Sequence, residues 1–389
     1  MARTIITDPL STKPGLYKIL RQISGGKTIL TLNDDNNRGK NAHGWYTKRK
    51  ATSPAFSSNH VKRMTRVALE KAEAWIQNTL LASSNDNISS SFDVSKEMLG
   101  FVLAALSETA FEYEMSKGEV EMFREELLLA LVEFTRKSPM NPLRPLIGPL
   151  IPERSRAVLA VQRLHAKVRH MMTAYRNKTK HTNEGTIIQL VMESDAFPND
   201  DERAAQLMEF LLAGHDTTAY SISWILICLA KNPEEQSKLR RSLSQLSPEN
   251  WSSCEALRCV IKEGMRLFPV ARSVRLIGRD IMTSSGLLPK GSICSLQFLL
   301  LFRNPDVFED PDSFLPSRWE DPTRDMLDAF MPFSLGKHSC IGQSLAQAES
   351  YAIVARICSE FELSVEDEGT SDFSLTFKPM GARLRARKV

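Results

Sequence analysis

Reactive residue types in this chain stand out where they sit beside glycine. The clearest case is Phe333-Ser-Leu-Gly336-Lys-His338-Ser-Cys340-Ile-Gly342-Gln343. It leads into a stretch where Leu345, Ala346, Tyr351, Ala352 and Val354 recur at helical spacing. The pattern predicts a loop that delivers one cysteine to a helix start. Free backbone N–H groups and the positive end of the helix dipole favour a thiolate there. Such a thiolate can be a nucleophile or a metal ligand. A nucleophile needs a partner base, and His338, two residues away along a loop, is not assured of facing the sulfur. Ligation is the better reading, against the ordinary alternative of a buried cysteine at a helix start.

A second centre is Leu211-Leu-Ala213-Gly214-His215-Asp216-Thr217-Thr218, inside a run over 201–231 that reads as one long helix. Glycine in a helix interior costs about 1 kcal/mol relative to alanine, so something local should compensate. One compensation is a kink in which Thr217 bonds back to the Ala213 carbonyl. Glu263 and Arg266 stand three apart in a helical stretch over 255–267 closed by Pro269, and an exposed pair at that spacing contributes only about 0.2–0.5 kcal/mol. Trp45 and Arg49 fall at i and i+4 on one face of a further helix. Gly26-Lys27-Thr28 imitates the tail of a phosphate-binding loop, but Arg21 occupies the place of its first glycine and no strand leads in.

Taken together, these stretches resemble the cytochromes P-450. Phe333, Gly336, His338, Cys340 and Gly342 match the family's haem-thiolate loop, which implies haem b with Cys340 as the axial thiolate ligand. His338 stands where the family more often has arginine; a histidine can still bond a haem propionate, with a charge that depends on pH. The 213–218 stretch matches the oxygen-binding groove. The resemblance implies that Gly214 leaves room for dioxygen, and that Asp216 and Thr217 are catalytic, holding water and passing protons. Trp45, Arg49 and Arg275 match propionate contacts. Glu263-Gly-Met-Arg266 resembles the family's K helix, with Arg318 of Phe314-Leu-Pro316-Ser-Arg318-Trp319 as third partner in a buried network that pins the Cys340 loop.

The implied fold is mainly α with small β-sheets (α+β), one cytochrome P-450 domain over 1–389 beginning near the family's B helix. The family's anchor, A helix and first strands have no counterpart before Met1, and the expectation is that the chain as written binds haem weakly and aggregates through an open sheet edge. The implied activity is a haem-thiolate monooxygenase that activates dioxygen and hydroxylates an apolar, fatty-acid-like small molecule. Its electrons come from an NADPH-dependent flavoprotein reductase or a ferredoxin-type donor, because no Gly-x-Gly-x-x-Gly fingerprint occurs in the chain. A reductase-independent, peroxide-rearranging enzyme is the nearest alternative, and the Asp216-Thr217 pair argues against it. An inactive or merely haem-binding remnant is another. The family implies the cytosolic face of the endoplasmic reticulum membrane. On its own terms the chain reads as soluble and cytosolic, with no apolar run of membrane-spanning length.

A length of 389 residues allows two or three domains or one large fold. A hydrophobic share of 42% and a charged share of 25% are ordinary for a globular protein. The net charge of +4 comes from Lys and Arg dispersed among acids, which argues against a nucleic-acid partner. Six cysteines without paired metal spacing suit a reducing compartment. Further helices are expected over 61–81, 94–110, 118–137 and 154–175. Pro139, Pro142, Pro145 and Pro149 punctuate one connection, which the resemblance makes the family's mobile F to G region and which by its residues alone equally reads as a plain helix-to-helix link. Short strands are expected between 276 and 301, with turns at 284–286 and 289–291. Substrate-facing positions are expected in 14–40, in 134–150, at Leu212 and Val270, and near Met380.

Overall fold

Helical periodicity accounts for most of the architecture. In the computed structural model, which describes all residues except 34–42, 82–89, 142, 145, 180–184 and 285, the expected helices form at Ser58–Trp75, Val94–Phe111, Lys117–Leu131, Pro152–Arg176, Asp200–Lys231 and Glu255–Leu267. Part of the 14–40 loop, two prolines of the 139–149 connection and one turn residue thus lie outside the described residues. Two helices end in π turns, at Ile76–Leu80 and Val132–Lys137. Ser116 starts the Lys117–Leu131 helix with a capping box: its side chain accepts from the Glu119 N–H while the Glu119 carboxylate accepts from the Ser116 N–H. Among the described residues no helix is long and apolar enough to cross a membrane.

The chain divides into two compact units, one of Met1–Ser11, Thr65–Val102 and Asp216–Val389, the other of Thr12–Met64 and Leu103–His215. Among the described residues the first unit carries four small antiparallel sheets. One has the order β1-β9-β6, pairing β1 (Ser90–Asp93) with the last strand, β9 (Arg383–Lys388), and β9 with β6 (Phe361–Asp367). β2 (Ser273–Leu276) pairs with β5 (Ile293–Leu296), β3 (Ile281–Thr283) with β4 (Gly286–Leu288), and β7 (Thr370–Phe373) with β8 (Phe377–Met380). A short N-terminal helix, Ala2–Thr7, buries Ile5 and Ile6 against Phe298, Phe302 and Met331. Gly278 makes this approach possible, because an ideal Cβ there would lie 2.0 Å from the Leu10 carbonyl oxygen.

In the second unit the false phosphate loop has a packing role. An ideal Cβ on Gly26 would lie 2.9 Å from the Ala205 Cβ, and Thr28 is fully buried. Lys13 donates to the carbonyls of Leu30 and Leu32, Glu209 accepts from the Leu30 N–H, and the buried Lys48 bridges the Lys27 carbonyl and Glu202. The proline-rich connection is anchored as well. The buried Glu133 carboxylate accepts from Ser138 at 2.8 Å, Arg144 at 2.9 Å and Arg154 at 3.1 Å, while Met140, Leu143 and Leu146 of the connection are exposed.

Within the first unit, the second half of the long helix crosses the Glu255–Leu267 helix at Gly264, whose ideal Cβ would lie 2.4 Å from Ile225 Cγ1. A methylene beside a β-branch point has little freedom to retreat. Gly264→Ala is therefore expected to destabilise the protein by about 1–3 kcal/mol, despite alanine's better helix propensity. Chemical denaturation measures this, and an unchanged midpoint would mean that the two helices part at no cost.

Candidate functional site

The loop before the Gln343–Glu360 helix has the form its glycines imply. Ser334 and Gly336 take left-handed backbone conformations, with φ of 58° and 71°. The Cys340 N–H donates to the Phe333 carbonyl at 2.9 Å, closing the loop so that Cys340 stands three residues before Gln343, the first helical residue. The N-terminal helix lies beneath: an ideal Cβ on Gly336 would lie 3.4 Å from the Ile6 carbonyl oxygen, and Lys337 donates to the Pro9 carbonyl at 2.8 Å. Of the six cysteines only Cys340 is exposed. Burial pushes the Cys228 and Cys358 thiols up to about 12 and also raises Cys259 and Cys294, so these four are held as thiols.

The long helix is buried from Leu211 to Ala230 except at Ala213, Gly214 and Thr217. Ala213 and Thr217 are one turn apart, so the accessible positions form a single stripe. In the second unit, Gly214 also serves packing: an ideal Cβ would lie 2.9 Å from the end of the Leu106 side chain. In the first unit Asp216 is buried and accepts a hydrogen bond from the Thr376 hydroxyl at 3.3 Å. Thr217 opens on a cavity that Phe333, Ala346 and Ser350 also line, along with Met265 and Val270. Within the first unit, Thr217 and Phe333, the residue that opens the Cys340 loop, thus line one space.

Glu263 and Arg266 form no surface pair. Both are fully buried, and the guanidinium grips the carboxylate with two bonds of 2.9 Å. Arg318 adds a bond of 3.0 Å, as expected, and the Trp319 indole N–H and the Leu315 N–H add two more at 2.9 Å. The remaining Arg266 donors reach the carbonyls of Phe302, Pro311 and Ser313. Arg275, on β2, is buried and donates to the Ser334 hydroxyl at 3.1 Å, so a strand outside the loop fixes its left-handed residue. Trp45 and Arg49 belong to the other unit, on the Trp45–Thr52 helix, with the guanidinium 5.7 Å from the indole centre.

This donor set suits a flat, mostly apolar cofactor with acidic edges. Among the described residues no cluster of three or more His, Cys, Asp or Glu gathers to hold a metal ion. Cys340 offers a single thiolate to an iron, and Arg275 supplies positive charge beside the same loop.

Comparison with known proteins agrees. The family model described as cytochrome P450, written here P-450, matches residues 28–384. The chain is 37% identical over 182 residues to the pig (Sus scrofa) taurochenodeoxycholic 6 alpha-hydroxylase, covering 44% of this chain and 36% of that protein. It is 26% identical over 392 aligned positions to cytochrome P-450 4d8 of Drosophila melanogaster, covering 90% of this chain and 81% of that one. A crystal structure of a cytochrome P-450 superposes with a TM-score of 0.78 at 20% identity, covering 99% of this chain and 86% of the other, which supports the α-rich fold.

Two residues of the site region give measurable expectations. Removing the shared carboxylate in Glu263→Ala leaves Arg266 buried with its main partner gone, which should destabilise the protein by about 3–5 kcal/mol; a melting temperature equal to wild type would contradict the buried network. Glu349, on the Gln343–Glu360 helix, is buried, and burial pushes its carboxyl up to about 8 from 4.5. Between those values the folded state holds a proton that the unfolded state has released, so stability falls as pH rises from 4.5 to 8 and is flat on either side. Glu349→Gln should remove that slope and be the more stable protein at pH 8, as denaturation at several pH values will read.

Proposed function

The chain belongs to the cytochrome P-450 family, whose members are haem monooxygenases, and on that premise we propose that it hydroxylates an apolar, fatty-acid-like small molecule. Dioxygen is its co-substrate, and its electrons come from an NADPH-dependent flavoprotein reductase or a ferredoxin-type donor. The observation that carries this reading is the cavity of the first unit, which Phe333, from the loop of the one exposed thiol, and Thr217, from the buried helix, line together.

Haem, when bound, supplies the activation of dioxygen. The chain supplies the rest. Cys340 would hold the haem iron as a thiolate, on a loop that Arg275, the N-terminal helix and its own backbone bonds fix in place. Arg275 and His338 are the candidates for the propionates, the family resemblance names Trp45 and Arg49 as further ones, and Phe333, Gly336 and Gly342 shape the loop around the sulfur. Thr217 holds water on the stripe, and Asp216 gives and takes a proton beside it. Gly214 leaves the stripe without a side chain. Met265 and Val270 form an apolar wall that excludes water and accepts an aliphatic chain. The pig relative, a hydroxylase by name, supports hydroxylation as the reaction type. The neighbouring acid and hydroxyl favour this over a peroxide rearrangement, which consumes no relayed protons.

The test is a reduced, carbon-monoxide-bound absorption spectrum. Cys340→Ser should lose the thiolate-type band while Cys294→Ser keeps it. A Cys340→Ser protein that retained the band would overturn the ligand assignment.

A further inference from the structure

Asp216 is supported from outside its own helix. Thr376, itself 4% exposed, lies in the short turn between β7 and β8 and donates its hydroxyl to Asp216 Oδ2 at 3.3 Å. A bond of that length is weak on its own, and its geometry persists only if both ends are held. The turn is held firmly. The residue after Thr376, Phe377, spends both backbone groups away from the hairpin: its carbonyl accepts from the Trp224 indole N–H at 3.1 Å, and its N–H donates to the Val270 carbonyl at 2.9 Å. Its ring also stacks on Trp224, with centroids 5.2 Å apart, and Trp224 stacks in turn on Phe268 at 4.2 Å. Trp224 and Asp216 belong to the same helix, so the latch and the acid share one rigid support.

We propose that Thr376 is a positioning residue for the reaction, fixing the Asp216 carboxylate in the rotamer that serves proton transfer, with the Trp224–Phe377 latch setting the hydroxyl in place. The proposal rests on the reading of Asp216 as a proton-transfer group. The chemistry that would register it is the partition of reduced dioxygen. With two electrons and two protons per turnover, one oxygen atom enters the substrate and the other leaves as water. When proton delivery is misdirected, the same two electrons and two protons leave as hydrogen peroxide. A misplaced carboxylate should therefore raise peroxide per product while leaving substrate binding intact.

Thr376→Val keeps the volume of the side chain and removes the donor; Thr376→Ser keeps the donor. In the reconstituted holoenzyme, Thr376→Val should raise the peroxide-to-product ratio about two- to tenfold, the range that loss of one hydrogen bond spans. Its KM should stay unchanged, and Thr376→Ser should restore the wild-type ratio. Trp224→Phe, which keeps the stack but loses the indole donor, should raise the ratio by a smaller factor. A readout independent of turnover is the carbon monoxide stretching frequency of the reduced protein, which responds to polar groups on the distal side. It should shift in Thr376→Val and return in Thr376→Ser. If Asp216→Asn raises the ratio and Thr376→Val changes neither ratio nor frequency, the positioning role is wrong and the proton-transfer reading stands. If Asp216→Asn itself leaves the ratio unchanged, that underlying reading fails and the proposal fails with it. Should Thr376→Val not fold, an unchanged ratio in Trp224→Phe decides against the latch.

Discussion

One carboxylate organises the first unit. Glu263 has no access to water, and its two oxygens receive donors from Arg266, Arg318, Trp319 and the Leu315 backbone. A buried ion pair is weak evidence for stability by itself, since desolvation offsets much of the attraction. What this one provides is geometry. Arg266 also holds the carbonyls of Phe302, Pro311 and Ser313, so a helix, the end of a short helical turn and a long irregular segment are tied at a single point. The segment from 303 to 342 is mostly loop, with little ladder bonding of its own, and a loop of that length keeps one shape only when such anchors fix it. Phe308, Trp319 and Met326 pack beside Cys259 just below the anchor, which adds the apolar half of the same constraint.

The long helix answers a different requirement, that of placing polar chemistry inside a core. Along its second half nearly every side chain is buried, and the residues a helix former would normally avoid fall where the helix meets the cavity. Asp216 tolerates burial because a hydroxyl from a distant hairpin meets it. Ser223 tolerates it by bonding back to the Ala219 carbonyl. Gly264 lets the neighbouring helix come close enough to hold this one still. Rigid support therefore comes before reactivity: the accessible stripe is narrow because every other face is already committed to packing.

Local patterns were legible in the sequence. The helices at 94–111, 200–231 and 255–267 follow from spacing, and so do the loop and helix around Cys340, because glycine, proline and apolar period all act within a few residues. The Glu263–Arg266–Arg318 group was also legible, through its resemblance to a known pattern. What escaped is non-local. The pairing of β1 with β9 joins residues almost 300 apart, and nothing in Ser90–Asp93 identifies its partner. Thr376 and Ser334 are ordinary hydroxyl residues whose significance depends on what faces them. The Trp319 indole stood beside a recognised arginine and could have been suspected, since a buried tryptophan needs an acceptor for its N–H. A charge cluster on Glu133 anchors the base of the proline-rich connection, using arginines that in sequence look like scattered surface residues.

The Gln343–Glu360 helix brings two opposite electrostatic solutions into one element. At its start a thiol is exposed to free N–H groups and the positive dipole end, which favour its anion. In its interior the Glu349 carboxyl is kept protonated to about pH 8 by burial. The helix rise puts the two groups on the order of 10–15 Å apart. At an effective dielectric constant of about 20, an ionised Glu349 would oppose the thiolate by about 1–2 kcal/mol, comparable with the largest benefit a helix terminus provides. Burial of Glu349 thus removes a charge that would otherwise cancel the advantage of placing Cys340 at a helix start, and the two features are one electrostatic arrangement.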